Sequence, residues 1–186
     1  MRMRTMFRPA VSVFSAGAVI IASAARAQGT PAAIARTKPA LEVTLIADKP
    51  SYTLSDKITL HVLLTNNSHS VLYLHAPLQW GWSADLMLSI FDAASGKEIF
   101  MKVLEDAIPP PPRSKKEFVP VLPEHIFGTV RTDSFDYLGI MKSGTYRFVV
   151  EFLSSIPTAA FAFGLPTWSR DKGWLRSNDV TITVTE

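Results

Sequence analysis

From Leu41 onward, apolar and polar residues alternate with a period of two rather than 3.6. Leu41, Val43 and Leu45 alternate with Glu42 and Thr44, and Ile58, Leu60, Val62 and Leu64 alternate with Lys57, Thr59 and His61. A period of two sends successive side chains to opposite faces, so both stretches are predicted to be half-buried strands. Alternating or β-branched runs recur at residues 71–76, 85–92, 97–103, 146–152 and 179–185. Leu60, Val62, Phe148, Val150, Ile182 and Val184 are the expected core positions of these strands. Turn residues separate the runs: Asp48-Lys49-Pro50-Ser51, Asn66-Asn67-Ser68, Ala94-Ser95-Gly96 and Lys142-Ser143-Gly144. Asn and Gly supply the positive φ of a tight turn, and Pro presets φ. The nearest approach to a helical pattern, residues 103–108, runs into the prolines at 109–112 and stops there.

Short strands joined by turns, with no helix to cover a parallel sheet, point to an antiparallel sandwich. The expected fold is all-β: a single immunoglobulin-like β-sandwich of about seven to nine strands over residues 41–186. The chain has no cysteine, so it holds no disulfide and its core rests on apolar packing. Two connections, residues 104–117 and 153–178, are too long for plain turns, and loops of that length are usually functional or disordered.

Residues 1–27 read as a secretory signal: a basic stretch over residues 1–8, an apolar stretch over residues 10–24, and Ala25-Arg26-Ala27 as a cleavage site. Cleavage near Ala27/Gln28 would make the protein secreted or periplasmic, and Arg2 and Arg4, not being adjacent, favour general export over a twin-arginine route. The apolar stretch is shorter than the roughly 20 residues of a membrane-spanning helix, so no transmembrane segment is expected in the mature chain. Residues 28–40, rich in Pro, Ala and Thr, read as a flexible linker.

The leader also changes the charge. Arg2, Arg4, Arg8 and Arg26 precede Gln28 with no acid among them; beyond it 15 basic residues face 16 acidic ones, and the formal charge falls from +3 to −1. Nucleic-acid binding needs a basic surplus on the mature surface and is not expected.

The sequence Tyr52-Thr53-Leu54-Ser55-Asp56-Lys57 leading into Ile58-Thr59-Leu60, then Leu64-Thr65-Asn66-Asn67-Ser68, the run 85–91 with its turn at Ser95-Gly96-Lys97, and Gly144-Thr145-Tyr146-Arg147-Phe148 resemble bacterial immunoglobulin-like domains. Among these the chain is similar to the bacterial intracellular proteinase inhibitor family over roughly residues 41–152. The resemblance implies a sandwich and, as a function, inhibition of a proteinase through an extended loop. Residues 104–117 offer one, with Arg113, Lys115 and Lys116 to attract trypsin-like enzymes.

No catalytic, cofactor-binding or metal residue is assigned. There is no G-x-S-x-G elbow, no thiol and no glycine-rich phosphate loop. Were residues 71–76 to fold back on 57–65 around Ser68, His61 would face His75 and two imidazoles would share a face. A sandwich sends those strands to different sheets, and no third ligand stands at a useful spacing. The remaining candidates are aromatic. Trp80 and Trp82 share a face if extended, and the 153–178 connection carries Phe161, Phe163, Trp168 and Trp174, which is unusually apolar for a surface loop. The expected function is that of an exported, non-enzymatic module binding a protein partner, with these six aromatics and Arg113 as candidate contacts. A carbohydrate-binding domain using exposed tryptophans is the alternative class, and a proteinase inhibitor is a special case of the first.

Overall fold

The two longest alternating runs at the start of the domain pair with each other, and the sandwich grows from that pair. The structure is a computed structural model and describes residues 38–81, 84–99 and 110–186. The leader, most of the assigned linker, Trp82 and the first part of the proline-containing connection lie outside the described residues. The strands are β1 (Leu41–Ala47), β2 (Ser51–Thr53), β3 (Lys57–Asn66), β4 (Leu72–His75), β5 (Leu86–Asp92), β6 (Glu98–Ile99), β7 (Phe118–Val121), β8 (Ile126–Ser134), β9 (Gly144–Phe152), β10 (Leu175–Arg176) and β11 (Val180–Thr185). Three short 3-10 turns, at Lys115–Glu117, Ala159–Ala162 and Arg170–Lys172, are the helical elements among the described residues. No helix among them is long and apolar enough to cross a membrane.

One sheet has the order β1-β3-β8, and the other β2-β11-β9-β5-β6 with β10 also on β9. Pairing is antiparallel throughout both, except that β2 runs parallel to β11. The chain leaves β1 for the opposite sheet at Asp48-Lys49-Pro50 and re-forms as β2. Tyr52 fixes that crossing. Its hydroxyl donates to Asp48 Oδ1 at 2.6 Å, and the same carboxylate oxygen accepts the Thr59 N–H at 3.0 Å. With β1, β3 and β8 on one side and β5, β9 and β11 on the other, the architecture is an immunoglobulin-like sandwich without a disulfide. A third, two-stranded sheet pairs β4 with β7.

The core lies between the inner faces. Leu41, Val43, Leu45, Ile58, Leu60, Val62 and Leu64 from the first sheet meet Leu86, Ile90, Phe148, Val150, Ile182 and Val184 from the second, all buried. The six positions that the alternation assigned to the core are among them. These inner-face residues are β-branched or γ-branched aliphatics and Phe, which interdigitate without polar atoms to satisfy, and the two tyrosines of the same core, Tyr52 and Tyr146, have their hydroxyls hydrogen-bonded.

The Asn66-Asn67-Ser68 turn is held by its own side chains. Buried Asn66 accepts the Ser68 N–H and O–H at 2.9 and 2.6 Å and donates to the carbonyls of Ser70 and Val121, both at 2.8 Å. The Asn67 N–H donates to the Ala40 carbonyl at 2.9 Å, so the last residue of the assigned linker is already bound to the first sheet. On the far side of β1, Asn178 Oδ1 accepts the Leu45 N–H at 2.9 Å and its Nδ2 donates to the Leu45 carbonyl at 3.0 Å.

Residues 71–76 do not fold back on β3. β4 pairs β7, placing His75 opposite Phe118, while His61 stands between Ile46 and Val130 in the first sheet. The topology separates the two imidazoles, as a sandwich crossing requires.

Candidate functional site

The long 153–178 connection is anchored rather than loose. At its start, the buried Asp85 carboxylate accepts the Ser155 N–H at 2.8 Å and the Gln79 N–H at 3.3 Å, and the Asp85 carbonyl accepts the Leu153 N–H at 2.9 Å. Burial pushes the Asp85 carboxyl above the usual carboxylate range, against the pull of these hydrogen bonds and of His75. In the middle, the Tyr73 N–H donates to the Pro166 carbonyl at 2.8 Å, and the Thr167 hydroxyl donates to the Tyr73 carbonyl at 2.5 Å. The Arg170 N–H closes the loop on the Ile156 carbonyl at 2.7 Å, and Arg170 Nε donates to the Ser154 carbonyl at 3.2 Å. The sequence supports this path: Pro157 and Pro166 have no backbone N–H that needs a partner, and Gly164, at φ +77°, takes a turn closed to most residues.

Two sets of apolar side chains emerge. Ile156 and Ala162 turn inward and, with Phe118 of β7, form a small second core against Tyr73 and Leu165. Trp168 also turns inward, joins the main core and is 9% exposed. Phe161, Phe163 and Trp174 stay out, at 53%, 40% and 50% exposure. Phe163 takes the left-handed conformation, φ 55° and ψ 33°, as the residue that ends the Ala159–Ala162 turn. That region is uncommon for a non-glycine residue and unfavourable for a bulky one. Its ring meets Phe118 edge-on with centroids 6.4 Å apart. From residue 157 to 166 the loop carries no charge.

The other sequence candidates are placed elsewhere. Trp80 is half-buried against the main core, with the Arg131 guanidinium 5.1 Å from its ring centroid. Trp82 lies outside the described residues. Arg113 is exposed just before the Lys115–Glu117 turn, its N–H donating to Glu117 Oε1 at 3.0 Å. Of the seven candidates, Phe161 and Phe163 stand together on one exposed loop tip, and Trp168 does not share that surface.

Sequence reasoning missed a polar cluster beneath the loop. Buried His75 has Nδ1 3.3 Å from the Ser155 hydroxyl oxygen and Nε2 3.9 Å from Glu117 Oε2. A serine, a histidine and a carboxylate therefore stand in line, but the histidine–carboxylate gap exceeds hydrogen-bond length. The imidazole is enclosed, with the Phe118 ring centroid 5.6 Å from its own. With the Ser155 N–H committed to Asp85, the cluster holds the start of the loop. No residue spacing announces it, because Asp85, His75, Glu117 and Ser155 come from four separate segments. Among the described residues no group of three or more His, Asp or Glu side chains is placed to hold a metal ion.

No protein-family model and no curated protein matches the chain. Among solved structures the chain is similar to a β-glucosidase from Erythrobacter marinus, at 12% identity and a TM-score of 0.38. The similarity covers 78% of this chain, which spans 15% of the length of that structure.

Proposed function

We propose that the chain is an exported, non-enzymatic interaction module that grips a protein partner with the aromatic tip of its 153–178 loop. The observation that carries this reading is that Phe161 and Phe163 are exposed on a loop whose backbone is fixed at both ends, with Phe163 held in a left-handed conformation. A loop ordered before binding loses less entropy on binding. An uncharged aromatic tip suits the desolvated centre of an interface, where a few anchors carry most of the affinity. Backbone strain at an exposed aromatic is the kind of local cost that persists at contact sites.

The test is capture from the exported fraction with a photo-crosslinker beside Phe161, followed by affinity measurement on the recovered partner. Phe161→Ser with Phe163→Ser is expected to cost about 2 kcal/mol or more, some thirtyfold in affinity, with the melting temperature nearly unchanged. A glycan array run in parallel separates the carbohydrate alternative, which would rest on Trp174 instead. Undiminished capture by the double variant would remove the loop tip as the contact.

A further inference from the structure

β8 is the outer strand of the first sheet, nine residues long, and among the described residues no strand pairs its outer edge. The ladder phase shows which backbone groups remain. The Asn66 N–H donates to the His125 carbonyl at 3.1 Å. In an antiparallel pair, residues that exchange hydrogen bonds recur at every second position. The bonded pairs are therefore Leu64 with Phe127, Val62 with Thr129, Leu60 with Arg131 and Ile58 with Asp133. The N–H and C=O groups of Ile126, Gly128, Val130 and Thr132 point to the open edge.

Edges of this length are usually guarded by lysine, proline, a bulge or an inward charge. The edge-facing residues of β8 are all uncharged, and Ile126 and Val130 are each 57% exposed. The two charges of the strand, Arg131 and Asp133, lie on its inward side and are paired with each other, so the face that carries the open edge positions bears no charge of its own.

We infer that β8 pairs antiparallel with β8 of a second copy of this chain, about a two-fold axis at Val130. Identical antiparallel strands meet isologously, so each contact occurs twice. This register overlaps all nine residues. It sets Val130 against its own copy and Gly128, which has no side chain, against Thr132. Arg131 then faces Thr129 across the axis. Moving the axis by one residue to Arg131 would place the two arginines directly opposite, which is unfavourable. In the chosen register the row Ile46, His61, Val130, already side by side across the sheet, continues into the same row of the second copy. Each three-stranded sheet becomes half of a six-stranded one, and the exposed Val130 and Ile46 become part of one apolar band. The contact uses a different surface from the aromatic loop, so either can fail alone.

Sedimentation velocity on the purified, naturally processed chain, from micromolar to near-millimolar concentration, tests this. A concentration-dependent dimer is expected, with amide exchange at Gly128, Val130 and Thr132 slowing as the dimer fills. Val130→Pro removes an edge-facing N–H without touching the ladder to β3, and Val130→Lys sets two ammonium groups together at the axis. Each should raise the dissociation constant at least tenfold, while Thr44→Lys, on the same outer face but away from the edge, leaves it unchanged. Should Val130→Pro fail to fold, Val130→Lys and the exchange pattern still decide. A chain monomeric at every concentration, a dimer that survives Val130→Lys, or a dimer without protection of those amides overturns the inference.

Discussion

The Tyr146 hydroxyl donates to the carbonyl oxygen of Lys142 at 2.8 Å, four residues upstream, at the corner where the chain leaves the first sheet for β9. This is the tyrosine corner of immunoglobulin-like sandwiches. Gly144 makes room for it, since a Cβ there would stand 3.3 Å from that hydroxyl oxygen. Tyr146→Phe keeps the buried ring and removes the bond. It is expected to cost about 1 kcal/mol, read as a lower denaturant midpoint with an unchanged slope.

Trp168 and Trp174 should respond to truncation to very different degrees. Trp168→Ala removes a core side chain and is expected to cost about 3 to 5 kcal/mol. Trp168→Phe should cost much less, because it keeps most of the packing and removes an indole N–H that has no partner among the described residues. Trp174→Ala, at an exposed site, should shift stability by no more than about 0.5 kcal/mol. Equilibrium denaturation of the three variants checks the order.

Asp85 reverses the usual acid response of a carboxylate. Its folded pKa is raised, mainly by burial, so the fold favours the protonated form. The stabilisation is present at pH below the unfolded carboxylate value, and it is lost as the pH rises through the folded one. Asp85→Asn cannot ionise, so its stability relative to the natural chain should improve as the pH rises from about 4 to the folded value and level off beyond it. Denaturant midpoints of both proteins from pH 3 to pH 7 give that difference curve, and a flat or falling curve would contradict the assignment.

Gly128 is a close approach between strands. A Cβ at this position would lie 2.4 Å from the Val62 carbonyl oxygen, which belongs to the ladder and cannot swing aside. Gly128→Ala is expected to cost about 1 to 3 kcal/mol as an overpacking change. Thermal melts test it, with Thr132→Ala on the same strand as the mild control.

The strands that the sequence made legible are those with an aliphatic inner face. β1, β3, β5, β9 and β11 coincide with alternating runs because their inward residues are Leu, Ile, Val or Phe apart from Asn66 at the end of β3 and Tyr146 near the start of β9. β8 escaped because its inward side is Phe127, Thr129, Arg131 and Asp133 while Ile126 and Val130 face out, so hydrophobicity carries no single phase along it. β7 contains Pro120, which reads as a strand breaker but sits exposed there and pairs Tyr73. At the site, composition marked the 153–178 loop as too apolar for a plain connection. Which aromatics fold in could not be read from it, because Trp168 is captured by a core built from distant strands. The His75 cluster depends on the pairing of β4 with β7, a long-range contact with no local signal.

The double hydrogen bond from the Asn178 amide to both backbone groups of Leu45 gives the first sheet a handed growth rule. On β1 the residues that bond β3 are the even ones, so the Leu45 N–H and C=O are what a neighbouring strand would need there, and a side chain of the same molecule occupies both. At Leu45 the β1 margin of the first sheet is thus capped from within the same molecule, while among the described residues no strand pairs its β8 margin. A strand added at β8 would therefore meet no matching free pair of backbone groups at Leu45 on the far margin, and growth through this sheet would favour a closed pair over a fibre.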